Sequence, residues 1–282
     1  MSVGGLILVT GGTGGLGRRV VKRLRDAGRE LRVLSRHAHE STPGVEYVVG
    51  DLETNEGIQA AVEGAEIIVH CAASGKIAED SAQIRNLVAA AQGAGVQHLL
   101  NISVVGADRV PVVSGIDRAM FAYFASQLAV ERAVAESGLP WTNLRATQFH
   151  DGFILLMVQA MAKLPVIPVP AGTRFQPVDA DEVAARLVEL TLGTPAGQAP
   201  DIAGPKVYEA AELIRSYLTA TRKRRLMLKV TFPGAAARAI RAGANLAPDH
   251  AVGRRTWEEF LAAWASSPSK GRPPAALPRT AA

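Results

Sequence analysis

A chain of 282 residues, 48% hydrophobic and 20% charged, has enough apolar surface for one large α/β domain or two small ones, which excludes a low-complexity or wholly disordered protein. Its single cysteine, Cys71, rules out a disulfide within these residues and fits a reducing compartment. The net charge of +5 is unevenly placed: residues 222–282 hold 12 Lys or Arg against 3 acids, a local balance of +9 that leaves −4 for the remainder.

The first strand is expected at 6–10, an apolar run too short for a signal h-region and lacking a basic lead-in. It flows into Thr10-Gly11-Gly12-Thr13-Gly14-Gly15-Leu16-Gly17. A helix follows over 16–27, with Leu16, Val20 and Leu24 on one face. Gly11, Gly14 and Gly17 recur every third residue at this strand-to-helix turn, a pattern that suits a dinucleotide pyrophosphate. Gly11 allows the tight turn, Gly14 lets the backbone approach the phosphates, and Gly17 lets the helix pack on the sheet. The helix N-terminus adds free N–H groups and a partial positive charge. Residues Gly11, Gly12, Thr13, Gly14, Gly15, Leu16 and Gly17 are the first cofactor-binding candidates.

The second strand, 31–35, ends at Ser35-Arg36. An acid there would bond the 2′-hydroxyl of NAD and repel a 2′-phosphate. Arg36 favours the phosphate, so NADP(H) is expected over NAD(H). Arg18 and Arg19 oppose the dipole of the first helix, which points either to a nearby anion or to solvated side chains. A third strand, 46–49, leads into Gly50-Asp51-Leu52, where Asp51 either accepts from the adenine amino group, with Leu52 on the ring, or caps a turn. After a helix at 56–62, the strand at 67–70 ends in His70-Cys71-Ala72-Ala73-Ser74, small residues over which a cofactor lies flat. His70 reads as a packed strand-end residue and Cys71 as an inert thiol. No Cys/His cluster has metal-ligand spacing. A helix at 78–94, a strand at 99–102, a helix at 119–137 and a strand at 142–145 continue the alternation, with Gly28, Gly95 and Gly138 as helix stops. The alternation predicts a parallel sheet covered on both faces.

Past residue 147 the pattern loosens into an apolar helix at 153–162, carrying Met157 and Met161 as core or pocket wall, and a Pro-rich stretch at 164–170. A short strand at 175–178 precedes a helix that Asp179 or Asp181 caps. Further helices fall at about 210–220, 234–244 and 256–264, the last with Thr256 as N-cap. Residues 1–265 read as one domain with a small lobe from about 148, and 266–282 as a disordered tail. The longest apolar stretch is half a membrane span, so a cytoplasmic protein with no membrane partner is expected. The basic run 222–225 has neither a recognition-helix pattern nor aromatic interleaving. It reads as a solvated loop or helix end, or a contact with an acidic partner, and no nucleic acid is expected.

With these motifs in hand, the chain resembles the atypical short-chain dehydrogenases/reductases, on the branch of the NmrA-like NAD(P)-binding proteins. The resemblance rests on 10–17, Ser35-Arg36, Gly50-Asp51-Leu52, Cys71-Ala72-Ala73, 102–108, Tyr123-Phe124-Ala125-Ser126-Gln127, 139–150 and 175–179, and covers about residues 5–265. It implies a Rossmann-type doubly wound parallel sheet with a small C-terminal substrate-side lobe. It also implies a Tyr-x-x-x-Lys pair on one helix face, in which Lys holds the nicotinamide ribose and lowers the Tyr pKa. Here the pair is Tyr123 and Gln127; Gln can still bond a ribose but brings no charge. The family serine maps to Ser103, or to Val104 if the register slips by one. Tyr123 and Ser103 are thus the catalytic candidates, and Gln127 joins Cys71, Ala72 and Ala73 at the cofactor. Lys76 is the nearest replacement for the missing charge, or a solvated loop residue. Gln148, Phe149 and His150 follow the sixth strand, where loops form the ligand crevice. His150 either faces the substrate or starts a helix beside Asp151. The expected function is an NADP(H)-dependent oxidoreductase acting on a small apolar carbonyl or quinone-like molecule. The alternatives are a non-catalytic NADP(H)-binding redox sensor and an epimerase or dehydratase. The resemblance further implies a homodimer paired through long helices.

Overall fold

The computed structural model describes residues 5–267. The first half alternates strand and helix: β1 (Leu6–Thr10), α1 (Gly15–Asp26), β2 (Leu31–Ser35), β3 (Val45–Val49), α2 (Ile58–Val62), β4 (Ala65–His70), α3 (Ile77–Ala94), β5 (His98–Val104), α4 (Gly115–Ala135) and β6 (Trp141–Ala146). The second half runs α5 (Leu155–Met161), β7 (Val166–Pro170), β8 (Arg174–Phe175), α6 (Ala180–Leu192), β9 (Gly197–Gln198), β10 (Tyr208–Glu209), α7 (Ala210–Ala220), β11 (Leu226–Val230), α8 (Ala235–Arg241) and α9 (Trp257–Ser266).

The main sheet has the order β3-β2-β1-β4-β5-β6-β9, and every neighbouring pair is parallel. The order reverses between β1 and β4, which opens a crevice at the carboxyl ends of the strands. Strand alternation splits the core. Ile7, Val9, Val33, Leu100 and Leu144 face α1 and α6, where Val20, Leu24, Val183 and Leu187 meet them. Leu8, Ile68 and Leu99 face α2, α3 and α4, against Ile58, Ile84, Leu87, Val130 and Val134. Burial on both faces is why these strands read as continuous apolar runs rather than alternating ones.

The lobe has its own core, in which Ile154, Val158, Ile167, Val169, Leu213, Tyr217 and Trp257 pack together. Two small sheets frame it, parallel β7 with β11 and antiparallel β8 with β10. Asp117 pins the lobe to α4: its carboxylate completes a capping box with Ser114 and also accepts from the Ala236 N–H at the start of α8 (3.1 Å).

Several expectations for this half need correction. The segment 164–170 is not merely Pro-rich coil, because 166–170 is a strand. The helix expected from 153 opens as a wide π turn, His150–Ile154, in which Gly152 is non-helical (φ −101, ψ −117). The strand expected at 175–178 is Arg174–Phe175, and Val178 instead forms an isolated bridge to Phe149. The basic run 222–225 is the exposed loop after α7 that was expected, and the strand β11 that follows it was not foreseen. Of the expected tail, Ser266 closes α9 and 268–282 lie outside the described residues.

Candidate functional site

The β1–α1 loop folds back on itself: the Gly14 N–H donates to the Gly11 carbonyl (2.9 Å) and the Arg18 N–H to the Gly14 carbonyl (3.1 Å). Gly11 has φ +67, and a Cβ there would lie 2.6 Å from the Ala72 nitrogen. Only glycine satisfies both the left-handed backbone and the approach of the β4 end. A Cβ on Gly17 would lie 2.1 Å from the Gly11 carbonyl oxygen, so this glycine is needed by the loop itself rather than by the sheet. Gly12 holds the packing role instead, since its Cβ would meet Val33 at 2.7 Å. A Cβ on Gly15 would meet nothing within 4 Å. The first turn of α1 has no acid and no side-chain cap. Its uncapped amides, the bare backbone at Gly15 and the partly open Thr13 and Leu16 are groups that could hold an anion.

At the end of β2, the buried Ser35 hydroxyl accepts from the His37 N–H (3.2 Å) and pairs with His39 Nε2 (3.0 Å). Arg36 is exposed and has no hydrogen-bond or ion-pair partner among the described residues. Arg19 is not free: it bonds Asp151 (2.5 Å) and Asp181 (3.2 Å), so protein carboxylates supply the anion that its position suggested. Asp51 closes a turn, with one oxygen accepting from the Glu53 N–H (2.8 Å). Leu52 is buried, and Asn86 holds its carbonyl (2.7 Å). After β4, the Cys71 N–H donates to the Thr10 carbonyl (3.0 Å), and apolar surroundings push the thiol up to about 12, which leaves it no nucleophile at neutral pH. Burial likewise holds His70 down to about 4, neutral against the Thr10 hydroxyl (2.7 Å).

The helix α4 carries Tyr123 and Gln127 one turn apart. Two contacts set its position. Arg145 on β6 forks onto Glu131 (2.9 and 2.6 Å). Asp80, 2% exposed, accepts from the Ser74 and Gly75 N–H groups (2.6 and 3.0 Å) and from the Ser126 hydroxyl, which ties the turn after β4 to α4. Tyr123 lies along that turn, since a Cβ on Gly75 would be 3.6 Å from its ring. The ring is 41% exposed, yet the protein packed around the rest pushes the phenol up to about 12, and the charge of Asp80 adds to it. Gln127 is 2% exposed and its amide has no partner among the described residues. The buried Ser103 hydroxyl is also unpartnered. Strand parity puts Leu99, Asn101 and Ser103 on the α4 side and Leu100, Ile102 and Val104 on the other, so Ser103 shares a face with the helix.

Beyond β6, Gln148 is buried with both amide atoms unpartnered, and Phe149 packs against the core. His150 is 1% exposed, stacked on Phe260 (centroids 5.2 Å) with Trp257 nearby (6.1 Å). Its Nδ1 is 4.0 Å from Asp179. Burial opposes ionisation of Asp179, but His150 and Arg255 (2.8 Å) hold it well below the usual carboxylate range. Lys76 pairs with Glu79 (2.5 Å); Lys76 and, more weakly, Arg36 keep the Glu79 carboxyl low.

Residues 11–175, more than half of the chain, match the NAD(P)H-binding family. The chain belongs to that family. It is 30% identical to a (4-alkanoyl-5-oxo-2,5-dihydrofuran-3-yl)methyl phosphate reductase of Streptomyces griseus over 211 residues, 73% of this chain and 71% of the relative. An NAD(P)H azoreductase of Xenophilus azovorans is 29% identical over 216 residues, 74% of this chain and 71% of that one. The chain covers only 22% of the length of an uncharacterized Mycobacterium tuberculosis protein that it matches at 27% identity. Among solved structures, an NADPH-dependent quinone oxidoreductase from Escherichia coli in complex with NADPH superposes with a TM-score of 0.73, at 18% identity, over 91% of this chain and 99% of that one. The fold is thus the Rossmann-like α/β fold, a parallel sheet with helices on both faces.

This NAD(P)H-binding chain has the features its cofactor needs. The β1–α1 turn lacks a Cβ at Gly11, Gly12, Gly14, Gly15 and Gly17, small residues follow β4, and polar side chains without a partner among the described residues stand at Ser103, Gln127 and Gln148. No group of His, Cys, Asp and Glu among the described residues is arranged to hold a metal. Sequence reasoning missed Asp80 and Ser126. Their one signal was the acid in the first turn of α3, which reads as an ordinary dipole partner.

Proposed function

We propose that the protein is an NADPH-dependent reductase of a small, apolar carbonyl or quinone-like compound. The observation that carries this reading is the polar set left without hydrogen-bond partners among the described residues, Tyr123 and Gln127 one turn apart on α4 and Ser103 on the sheet face that α4 covers. When bound, the nicotinamide supplies a hydride from its C4. With its phenol at about 12, Tyr123 keeps its proton at neutral pH and donates a hydrogen bond to the oxygen that gains charge on the acceptor. Ser103 adds a second donor, and Gln127 bonds the ribose without charge. On the substrate side, Gln148 brings the unpartnered amide, while Phe149 and His150, packed inside, support it rather than touch the substrate. On the adenosine side, Arg36 meets the 2′-phosphate, while the second oxygen of Asp51 accepts from adenine and Leu52 packs near it.

The test is NADPH consumption with a benzoquinone acceptor, comparing the natural protein with Tyr123→Phe. The variant is expected to lose on the order of 10²-fold in kcat, the worth of one oxyanion donor, with NADPH affinity unchanged. Equal kcat removes Tyr123 from the chemistry. Gln127 favours a second reading, a non-catalytic sensor of NADP(H). Absence of turnover, together with a tenfold or greater difference between NADP⁺ and NADPH affinity, would select it.

A further inference from the structure

The β7–β11 ribbon is a two-stranded sheet of the lobe, separate from the main sheet. Ile167, Val169 and Met227 point into the lobe core. Alternation turns Val166, Pro168 and Pro170, together with Leu226, Leu228 and Val230, to the opposite face. All six are apolar. Leu226, Leu228 and Val166 are 68%, 58% and 42% exposed, and Leu164, just before β7, is 42% exposed. A contiguous apolar face of this kind marks a contact surface.

Cations surround it. Lys163, Arg222, Lys223, Arg224 and Arg225 precede the two strands and are all exposed. Lys163, Arg224 and Arg225 line one groove with Pro165 and Leu226. None of the five forms an ion pair among the described residues. Like charges this close are held together only by the fold, and an anionic occupant would relieve them.

We propose that this face docks the protein on an anionic lipid bilayer. The charge argues against two other occupants. A second copy would bring the same cations against each other across a twofold axis. Residues 268–282 of this chain carry Lys270, Arg272 and Arg279 and no acid, so they are repelled as well. An acidic protein answers the cations but not the six apolar side chains. A bilayer answers both: its headgroups take the lysine and arginine heads, and the boundary below them takes the leucines and valines. The contact is peripheral, since no helix among the described residues is long and apolar enough to cross a membrane. It departs from the expectation of no membrane partner. It is independent of turnover in the crevice.

The test is co-sedimentation of the full chain with phosphatidylcholine vesicles, with and without about a third phosphatidylglycerol, at low and high salt. Binding is expected only to the anionic vesicles, and is expected to weaken as salt rises. At about fivefold per cation, Arg224→Ala with Arg225→Ala lowers partitioning on the order of 20-fold. Leu226→Gln with Leu228→Gln lowers it on the order of tenfold. Both variants are expected to keep the natural Tm and NADPH affinity, because these side chains stand outside the cores. Three results would overturn the proposal: no binding of the natural chain to anionic vesicles, full binding by the double leucine variant, or a concentration-dependent dimer in sedimentation velocity that the leucine variant abolishes. The last would assign the face to a second copy.

Discussion

Alanine at Gly17 and alanine at Gly15 are chemically the same change two residues apart, and the loop geometry predicts opposite effects. At Gly17 the new Cβ would lie 2.1 Å from the Gly11 oxygen and 2.8 Å from the Gly12 Cα. To reach an ordinary 3.4 Å contact, the loop carbonyl must move by about 1.3 Å. Both partners are backbone, so no rotamer change relieves the clash. Overpacking against backbone that cannot turn aside falls in the upper part of the usual range, about 2–3 kcal/mol, offset by about 1 kcal/mol from the better helix propensity of alanine. The net loss is about 1–2 kcal/mol, which for a domain of this size lowers Tm by roughly 2–8 °C. At Gly15 nothing lies within 4 Å, so only the propensity gain remains and Tm rises by a few degrees. Differential scanning fluorimetry without nucleotide measures both, and repeating it with saturating NADPH separates loop damage from fold damage. Gly17→Ala is expected to lose the nucleotide-induced rise in Tm. A Gly17→Ala protein as stable as the natural one, or a Gly15→Ala protein that is less stable, would refute the contact argument.

Arg36→Ala is expected to weaken NADPH about 10- to 100-fold, the worth of one charge-assisted bond, and to leave NADH within about twofold. Paired calorimetric titrations decide it, and a parallel loss for both nucleotides would return Arg36 to the solvent. Asp80→Ala leaves two N–H groups and the Ser126 hydroxyl without their acceptor; urea unfolding is expected to show a loss of about 2–4 kcal/mol, and kcat to fall because Tyr123 rests on the same turn. The protein is also expected to be acid-sensitive. Burial holds His70 and His98 down to about 4, whereas the unfolded chain titrates near 6.5. The unfolded state therefore binds more protons between these values, so the stability is intact above 6.5 and is lost as pH falls toward 4, on the order of 3 kcal/mol for each histidine. Urea midpoints that do not move across that window would show that the rings are charged when folded.

The sheet was legible because it is buried on both faces: six apolar runs and three glycine stops sufficed to place β1 to β6 within a few residues. The glycine turn between β1 and α1 was legible for the same local reason, although Gly17 serves the loop rather than the sheet. The lobe was harder to read. Pro168 and Pro170 look like breakers, yet the Ala171 N–H bonds the Val230 carbonyl (2.8 Å), so alternate residues 167, 169 and 171 face β11 and the prolines face away. Their missing donors cost no ladder bond. The basic run hid β11 because its charges precede the strand rather than alternate within it. Asp80 and Ser126 are 46 residues apart, and no local pattern joins them.

The two prolines have another consequence. A strand edge is a template onto which a stranger's backbone can add, and β7 has lost most of that capacity on its outer side because Pro168 and Pro170, two of its three outward positions, lack a donor. Growth of the ribbon by strand addition is thereby left mainly to β11, whose approach Arg222, Lys223, Arg224 and Arg225 guard by repelling any copy of themselves. The chain thus keeps a sticky face in water while denying it the self-pairing that would seed aggregation.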